Sequence, residues 1–193
     1  VWGSARFIGP YAIEVCSQAL SAPKIFINVG GRPVMPDWPG IDGIPVLTNT
    51  SIMSLEVLPE HLIVVGGSYI GLEVAQMFRR FGAEVTVLEV ADRLIAREDP
   101  EVSAEVQRIL EREGVHFLLG VSNARVERRG DQIVVSCDAD DTSHELTASH
   151  LLAAVGRRPN TDHLGLQAAG IATDSRGFIT VDKHQRNQKY KNI

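Results

Sequence analysis

Cysteine, long apolar runs and clustered positive charge are all scarce in this chain, and each shortage removes a class of function. Only Cys16 and Cys137 occur among 193 residues, far apart and without metal or redox spacing. A disulfide framework is therefore not expected; a reducing, cytoplasmic compartment is, with both thiols as inert core or strand residues. The six histidines are scattered without ligand spacing, so no metal site is expected. No apolar run approaches the roughly 20 residues needed to span a bilayer. The opening VWGSARFIGPY lacks a charged region followed by an apolar stretch. The expectation is a soluble chain without a membrane partner. The net charge is -5 and the basic residues form no stripe, which argues against nucleic acid as a partner.

What is present is a globular composition, 44% hydrophobic over 193 residues. That length fits one full domain plus a fraction of another. The chain begins at Val1 and stops at Ile193 within a polar stretch, so it is expected to be a piece of something longer.

Along the chain, Ala5 to Phe7, Tyr11 to Val15 and Lys24 to Val29 read as short strands. Residues Gly30 to Pro45, dense in glycine and proline, read as an extended linker, and Thr48 to Leu55 as a short helix. The centre alternates strand His61 to Val65, helix Tyr69 to Phe81, strand Glu84 to Val90, helix Pro100 to Glu113 and strand Val115 to Leu119. In the first helix Ile70, Val74, Met77, Phe78 and Phe81 form the inner stripe, Arg79 and Arg80 the outer side, and Gly82 the stop. In the second, Asp99 is the N-cap, Pro100 the first helical residue, Val102, Val106, Ile109 and Leu110 the stripe, and Gly114 the stop. Val126 to Arg128, Ile133 to Cys137 and Glu145 to Thr147 read as an antiparallel meander, His150 to Val155 as a last sheet strand, and Phe178 to Val181 as a short strand before a polar tail. The fold expected is α/β, a Rossmann-like parallel sheet with helices on both faces plus the small meander.

The chemistry-bearing motif is Gly66-Gly67-Ser68-Tyr69-Ile70-Gly71, at the end of an apolar strand and the start of a helix, with the acidic Glu89 closing the next strand. Gly66 suits a tight turn, the small Ser68 lets backbone approach a pyrophosphate, and Gly71 allows helix and strand to pack closely. The helix N-terminus would face the phosphate charge. The Glu89 carboxylate accepts ribose hydroxyls and repels a 2′-phosphate, which favours NAD over NADP, although Arg93 four residues on offers a phosphate partner. FAD binds through the same fingerprint, so the motif alone leaves both dinucleotides open.

Four segments in order, GSARF at Gly3 to Phe7, INVGGRPVMPDWPG at Ile27 to Gly40, LPEHLIVVGGSYIGLEVAQMF at Leu58 to Phe78 and AAVGRRPNTDHLGL at Ala153 to Leu166, resemble the pyridine nucleotide-disulfide oxidoreductases. The GSYIGLE wording and REDPE at Arg97 to Glu101 are most similar to the dihydrolipoamide dehydrogenase and mercuric reductase branch. The resemblance implies a partial FAD-binding domain with linker at 1–50, an NAD-binding domain at 51–160 and a truncated second piece of the FAD domain at 161–193. It implies Gly66, Ser68 and Gly71 as the pyrophosphate turn and Glu89 as the ribose acid. Tyr69 is implied as an aromatic gate that shields the flavin, unless it is simply a packed helix residue. Glu73 is implied as the acid at the nicotinamide end, unless it is an ordinary helix-surface acid. Ala154 and Gly156 are implied as backbone neighbours of NAD, and Ala5 and Gly30 as backbone contacts to FAD. Asn123 stands where a small apolar residue usually lies beside the adenine.

Neither the family's C-x-x-x-x-C pair nor its N-terminal flavin fingerprint is in the chain, so no catalytic residue is expected within it. In the intact protein, a homodimer on this reading, hydride would pass from NADH to FAD and on to a disulfide or metal ion. The chain alone, a monomer or weak dimer, would bind nucleotide without turnover. The alternatives are a non-catalytic NAD-binding or interaction module, and an ordinary nicotinamide dehydrogenase, for which neither Tyr-x-x-x-Lys nor a convincing His/Asp dyad is present.

Overall fold

The computed structural model describes residues 1–187, 189 and 193, which divide into two compact units, Val1–Arg32 with Arg157–Ile193, and Pro33–Gly156. In the first unit β1 (Ala5–Gly9), β2 (Ala12–Val15) and β3 (Gln18–Ser21) form an antiparallel sheet. Cys16 and Ser17 make the turn between β2 and β3, both at positive φ, 48° and 65°. This two-residue hairpin turn corrects one expectation: Cys16 is exposed at a turn rather than buried, while Cys137 is buried. Residues 24–29, expected as a strand, carry no regular element. Ile25 and Ile27 lean on the cluster of Phe7, Leu166, Ala169 and Ile171, but among the described residues no ladder partner pairs with the segment. Next comes β4 (Gly31–Pro33), within an otherwise irregular, proline-rich crossing.

The second unit is built on a parallel sheet of β5 (Val46–Leu47), β6 (His61–Val65), β7 (Glu84–Leu88), β8 (Val115–Leu118) and a later strand. The segment expected as a helix before β6 is a single 3-10 turn, Ser51–Ser54. The Thr48 hydroxyl accepts the Thr50 and Ser51 N–H groups, offering the backbone an alternative to a helix. Between the strands lie α1 (Tyr69–Phe81) and α2 (Pro100–Arg112). Gly82 ends α1 in the left-handed conformation, and α2 starts behind Asp99 with Pro100 in its first turn, both as the sequence predicts.

The chain then forms a meander, β9 (Ser122–Arg129), β10 (Gln132–Ala139) and β11 (Thr142–Ala148), antiparallel with β10 central. β12 (His150–Ala153) completes the parallel sheet in the order β5-β12-β6-β7-β8. Both sheet faces are covered, which is why β6 and β7 read as continuous apolar runs. Leu62, Val64, Val85, Val87 and Leu152 pack with Leu72, Ala75 and Phe78 of α1 and Leu110 of α2. Ile63, Val65, Leu88 and Leu151 pack with Val126, Ile133 and Val135 of the meander. The mixed α/β class, with its parallel sheet and meander, is therefore as expected, but the expected helices on both faces are not found. Both helices lie on one face and the meander takes the other, because the alternating apolar residues of β9 and β10 need that face to leave water.

Four side chains depart from the periodic pattern. Phe81 is 61% exposed, meeting Phe78 edge-on at 5.9 Å. A 13-residue helix runs about 20 Å against about 17 Å for five-residue strands, so its last turn overhangs the sheet. Val102 and Ile109 are half exposed, whereas Ser103 and Leu110 are buried, because the Ser103 hydroxyl donates to the Leu94 carbonyl at 2.7 Å and sets the rotation of α2. Arg79 is half buried, donating to the carbonyls of Glu113 (3.1 Å) and Ala83 (3.2 Å); Arg80 alone stays outside, paired with Glu113.

The first unit resumes with β13 (Arg157–Pro159), paired with β4. Phe178 to Val181, expected as a strand, forms only isolated bridges, Thr173 to Ile179 and Val181 to Asn187. Of the polar tail, residues 188 and 190–192 lie outside the described residues. No helix among the described residues is long and apolar enough to cross a membrane.

Candidate functional site

The strand order places β12 and β7 on opposite sides of β6, so the chain leaves the C-terminal end of β6 where the connections diverge, the position at which open α/β sheets form a ligand crevice. The glycine turn occupies that point. Gly66, at φ 115°, donates its N–H to the Leu88 carbonyl at 2.8 Å. A Cβ there would lie 2.5 Å from the carbonyl oxygen of Ala154, which follows β12, and one at Gly67 would lie 2.7 Å from Leu94 Cδ2. Ser68, exposed and extended, is the N-cap of α1, and its side chain makes no capping bond. The first turn of α1 carries no acidic residue, which leaves the positive end of the helix dipole open to an anion. Ile70 is half buried, and Gly71 is buried beneath it.

Glu89 is held from two sides. One carboxylate oxygen accepts the Gly67 N–H at 2.5 Å and the other the Ala91 N–H at 2.9 Å, so the acid is fixed beside the turn before any ligand arrives. Each oxygen keeps a further lone pair for a hydroxyl donor. Arg93 turns away from that role: its Nη2 donates to the Ala96 carbonyl at 3.0 Å and its Nε is buried without a hydrogen-bond partner.

Sequence reasoning missed how the segment after β7 is fastened to the turn. Ile95 donates its N–H to the Gly67 carbonyl at 2.9 Å while holding φ at 38°, a costly conformation for a buried β-branched residue. Ala91 accepts the Gly120 N–H at 2.8 Å. The Tyr69 hydroxyl, on the first residue of α1, donates to the Glu98 carboxylate. That bond, with the charge of Glu98, pushes the Tyr69 pKa up, partly offset by Arg97. The only available signal was a carboxylate two residues before the proline that starts α2.

The remaining expected site residues separate. Glu73 is exposed in the second turn of α1. Ala154 donates to the Val65 carbonyl at 2.8 Å beside Gly66, and Gly156 accepts the Val34 N–H at 3.0 Å. Asn123, at φ 50°, donates to Asp138 at 2.8 Å. Ala5 and Gly30 belong to the other unit: Ala5 pairs with Val15, and Gly30 accepts the Asn160 N–H at 3.1 Å. A Cβ at Gly30, which holds φ at 66°, would meet nothing within 4 Å. Among the described residues no group of three or more His, Cys, Asp or Glu is placed to hold a metal ion.

The family model described as pyridine nucleotide-disulphide oxidoreductase matches residues 2–193. The chain is 39% identical over 191 residues to a mercuric reductase of Streptomyces lividans, covering 96% of this chain and 40% of that protein. It is 34% identical over 183 residues to dihydrolipoyl dehydrogenase 3 of Pseudomonas putida, covering 92% and 39%. The solved structure of the HOCl-induced flavoprotein disulfide reductase RclA from Escherichia coli superposes with a TM-score of 0.85 at 36% identity, covering 98% of this chain and 43% of that one. The chain thus spans only 40% and 39% of the length of these two relatives.

Proposed function

Because the chain belongs to the pyridine nucleotide-disulphide oxidoreductase family, we propose that its Pro33–Gly156 unit is the NAD(H)-binding part of a flavin-dependent disulfide or metal-ion oxidoreductase. The observation that carries this is Glu89, held by the Gly67 and Ala91 N–H groups beside a glycine turn too tight for side chains at Gly66 and Gly71. The pyrophosphate would lie on the backbone of Gly66 to Ser68 and the N-terminus of α1, and the adenosine ribose hydroxyls would donate to Glu89. Ala154 and Gly156 would line the other side of the crevice, with Ile70, Tyr69 and Glu73 toward the nicotinamide.

NAD is favoured over NADP by the same geometry. A 2′-phosphate would meet the Glu89 carboxylate, and the neighbouring cation, Arg93, is already bonded to Ala96. FAD supplies the hydride acceptor on this reading, with Ala5 and Gly30 offering backbone contacts to it. The chain's own thiols do not form the redox pair, since Cys137 is buried in β10 and Cys16 lies at a hairpin turn. The intact protein would act as a homodimer in the cytoplasm.

Titration with NADH, NADPH and FAD tests the reading. Saturable NADH binding, weaker NADPH binding and loss of NADH affinity in Glu89→Ala are expected. No saturable NADH binding, or a Glu89→Ala variant that binds as well as the parent, would sink it.

A further inference from the structure

Ser103 lies early in α2 and is 1% exposed, a place where a hydroxyl is costly unless it is hydrogen-bonded. A helical serine ordinarily returns its hydroxyl to a carbonyl of the preceding turn. This one donates instead to the Leu94 carbonyl, nine residues earlier, at 2.7 Å. The peptide group joining Leu94 to Ile95 is thereby held at both poles, its oxygen by Ser103 and its N–H by the Gly67 carbonyl at 2.9 Å. Ile95 holds φ at 38°, which a β-branched residue keeps only where its surroundings over-determine it. The two bonds of the 94–95 peptide are such surroundings, and Leu94 Cδ2 adds a contact in the space that a Cβ at Gly67 would need. Gly67 in turn gives its N–H to Glu89 at 2.5 Å. An unbroken line of contacts therefore runs from Ser103, through Leu94 and Ile95, to the glycine turn and the acid beside it.

We propose that Ser103 is a positioning residue for nucleotide binding, acting through the 94–95 peptide to hold Gly67 and Glu89 in the arrangement a dinucleotide needs. The proposal rests on the NAD reading above. Without the hydroxyl, the Leu94 carbonyl is left buried and unpaired, the 94–95 peptide turns to relieve Ile95, and the Gly67 carbonyl loses its donor. The turn and Glu89 then populate the binding arrangement for only part of the time, and apparent affinity falls with that fraction. Losing one buried hydrogen bond of this kind corresponds to about a 2–10-fold change.

The test compares Ser103→Ala, Val106→Ala, Glu89→Ala and the Ser103→Ala/Glu89→Ala double variant in the full-length protein. Val106 packs on the core from the same helix and serves as the control for lost helix packing. NADH affinity is measured by calorimetric titration well below each melting transition, and hydrogen exchange at the Gly67 and Ile95 amides is followed without nucleotide. Ser103→Ala should bind NADH about 2–10-fold more weakly and exchange faster at both amides. Val106→Ala should keep the parent's affinity although its Tm falls. In the Glu89→Ala background, Ser103→Ala should cost less affinity than it does alone, because part of its effect passes through that carboxylate. Parent-like binding or exchange in Ser103→Ala, an equal loss of affinity in Val106→Ala, or full additivity in the double variant would each overturn the proposal. A parent that binds no NADH ends the nucleotide reading and this proposal together, whereas a parent that binds NADH no better than Ser103→Ala ends this proposal alone.

Discussion

Gly71 lies so close beneath the carbonyl of Gly66 that a Cβ on it would stand 1.9 Å from that oxygen, with Val64 Cγ1 at 3.4 Å behind. The first turn of α1 and the end of β6 are thus in backbone contact, and that contact sets where the helix N-terminus points. Replacing Gly71 with Ala forces the two apart. Overpacking of this kind costs about 1–3 kcal/mol, which for a chain of this size lowers Tm by roughly 2–12 °C. Calorimetry should show that fall, together with weakened NADH binding, since the displaced helix no longer faces the same point.

Glu89→Ala leaves the Gly67 and Ala91 N–H groups without their carboxylate and removes the proposed ribose acceptor. Charge-assisted bonds of this type are worth about 1.5–3 kcal/mol, so NADH affinity should drop about 10–100-fold. NADPH affinity should change less or improve, because the repulsion of a 2′-phosphate goes with the charge. Equal losses for both nucleotides in a calorimetric titration would contradict this selectivity.

The two thiols should react at very different rates. Cys16 is exposed, whereas Cys137 is 3% exposed and its burial pushes the thiol pKa up. Thiolate is the reactive form, so Cys137 is protected twice over. A chromogenic disulfide reagent at neutral pH should titrate one thiol quickly and the second only in denaturant. Rapid labelling of both thiols in the parent, and of the one remaining in Cys16→Ser, would show that β10 opens readily.

His150 supplies a pH dependence. Burial lowers its pKa below the ordinary value of about 6.5. The unfolded chain therefore binds a proton more readily than the folded one in the window between the lowered value and about 6.5. Stability from this residue is fully present above that window and is lost as pH falls through it. Thermal midpoints recorded from pH 7 to 5 should decline less steeply in His150→Gln than in the parent.

Much of the second unit was legible because its signals are local. The alternation of β6, α1, β7, α2 and β8 follows from apolar runs, the Gly82 and Gly114 stops and the Asp99-Pro100 start, each of which acts within a few residues. Ile25 and Ile27 carried an equally good alternating pattern and formed no strand, because a strand also needs a partner ladder, which its own sequence does not supply. Val102 and Ile109 fit helical spacing as well as Leu110 does, yet a single Ser103–Leu94 hydrogen bond turned them toward water.

The same division runs through the candidate site. The sequence by itself determined that a glycine turn follows an apolar strand, that a helix begins there, and that an acid ends the next strand, since each rests on short-range backbone sterics and residue chemistry. Only the tertiary structure decided that Glu89 accepts the Gly67 N–H, that Arg93 is turned onto Ala96, that Ile95 is strained against the turn, and that Glu98 reaches Tyr69. It also decided that both helices share one face while the meander seals the other. These contacts join residues distant in sequence, and their geometry is fixed by how strands register and surfaces pack, which no local pattern encodes.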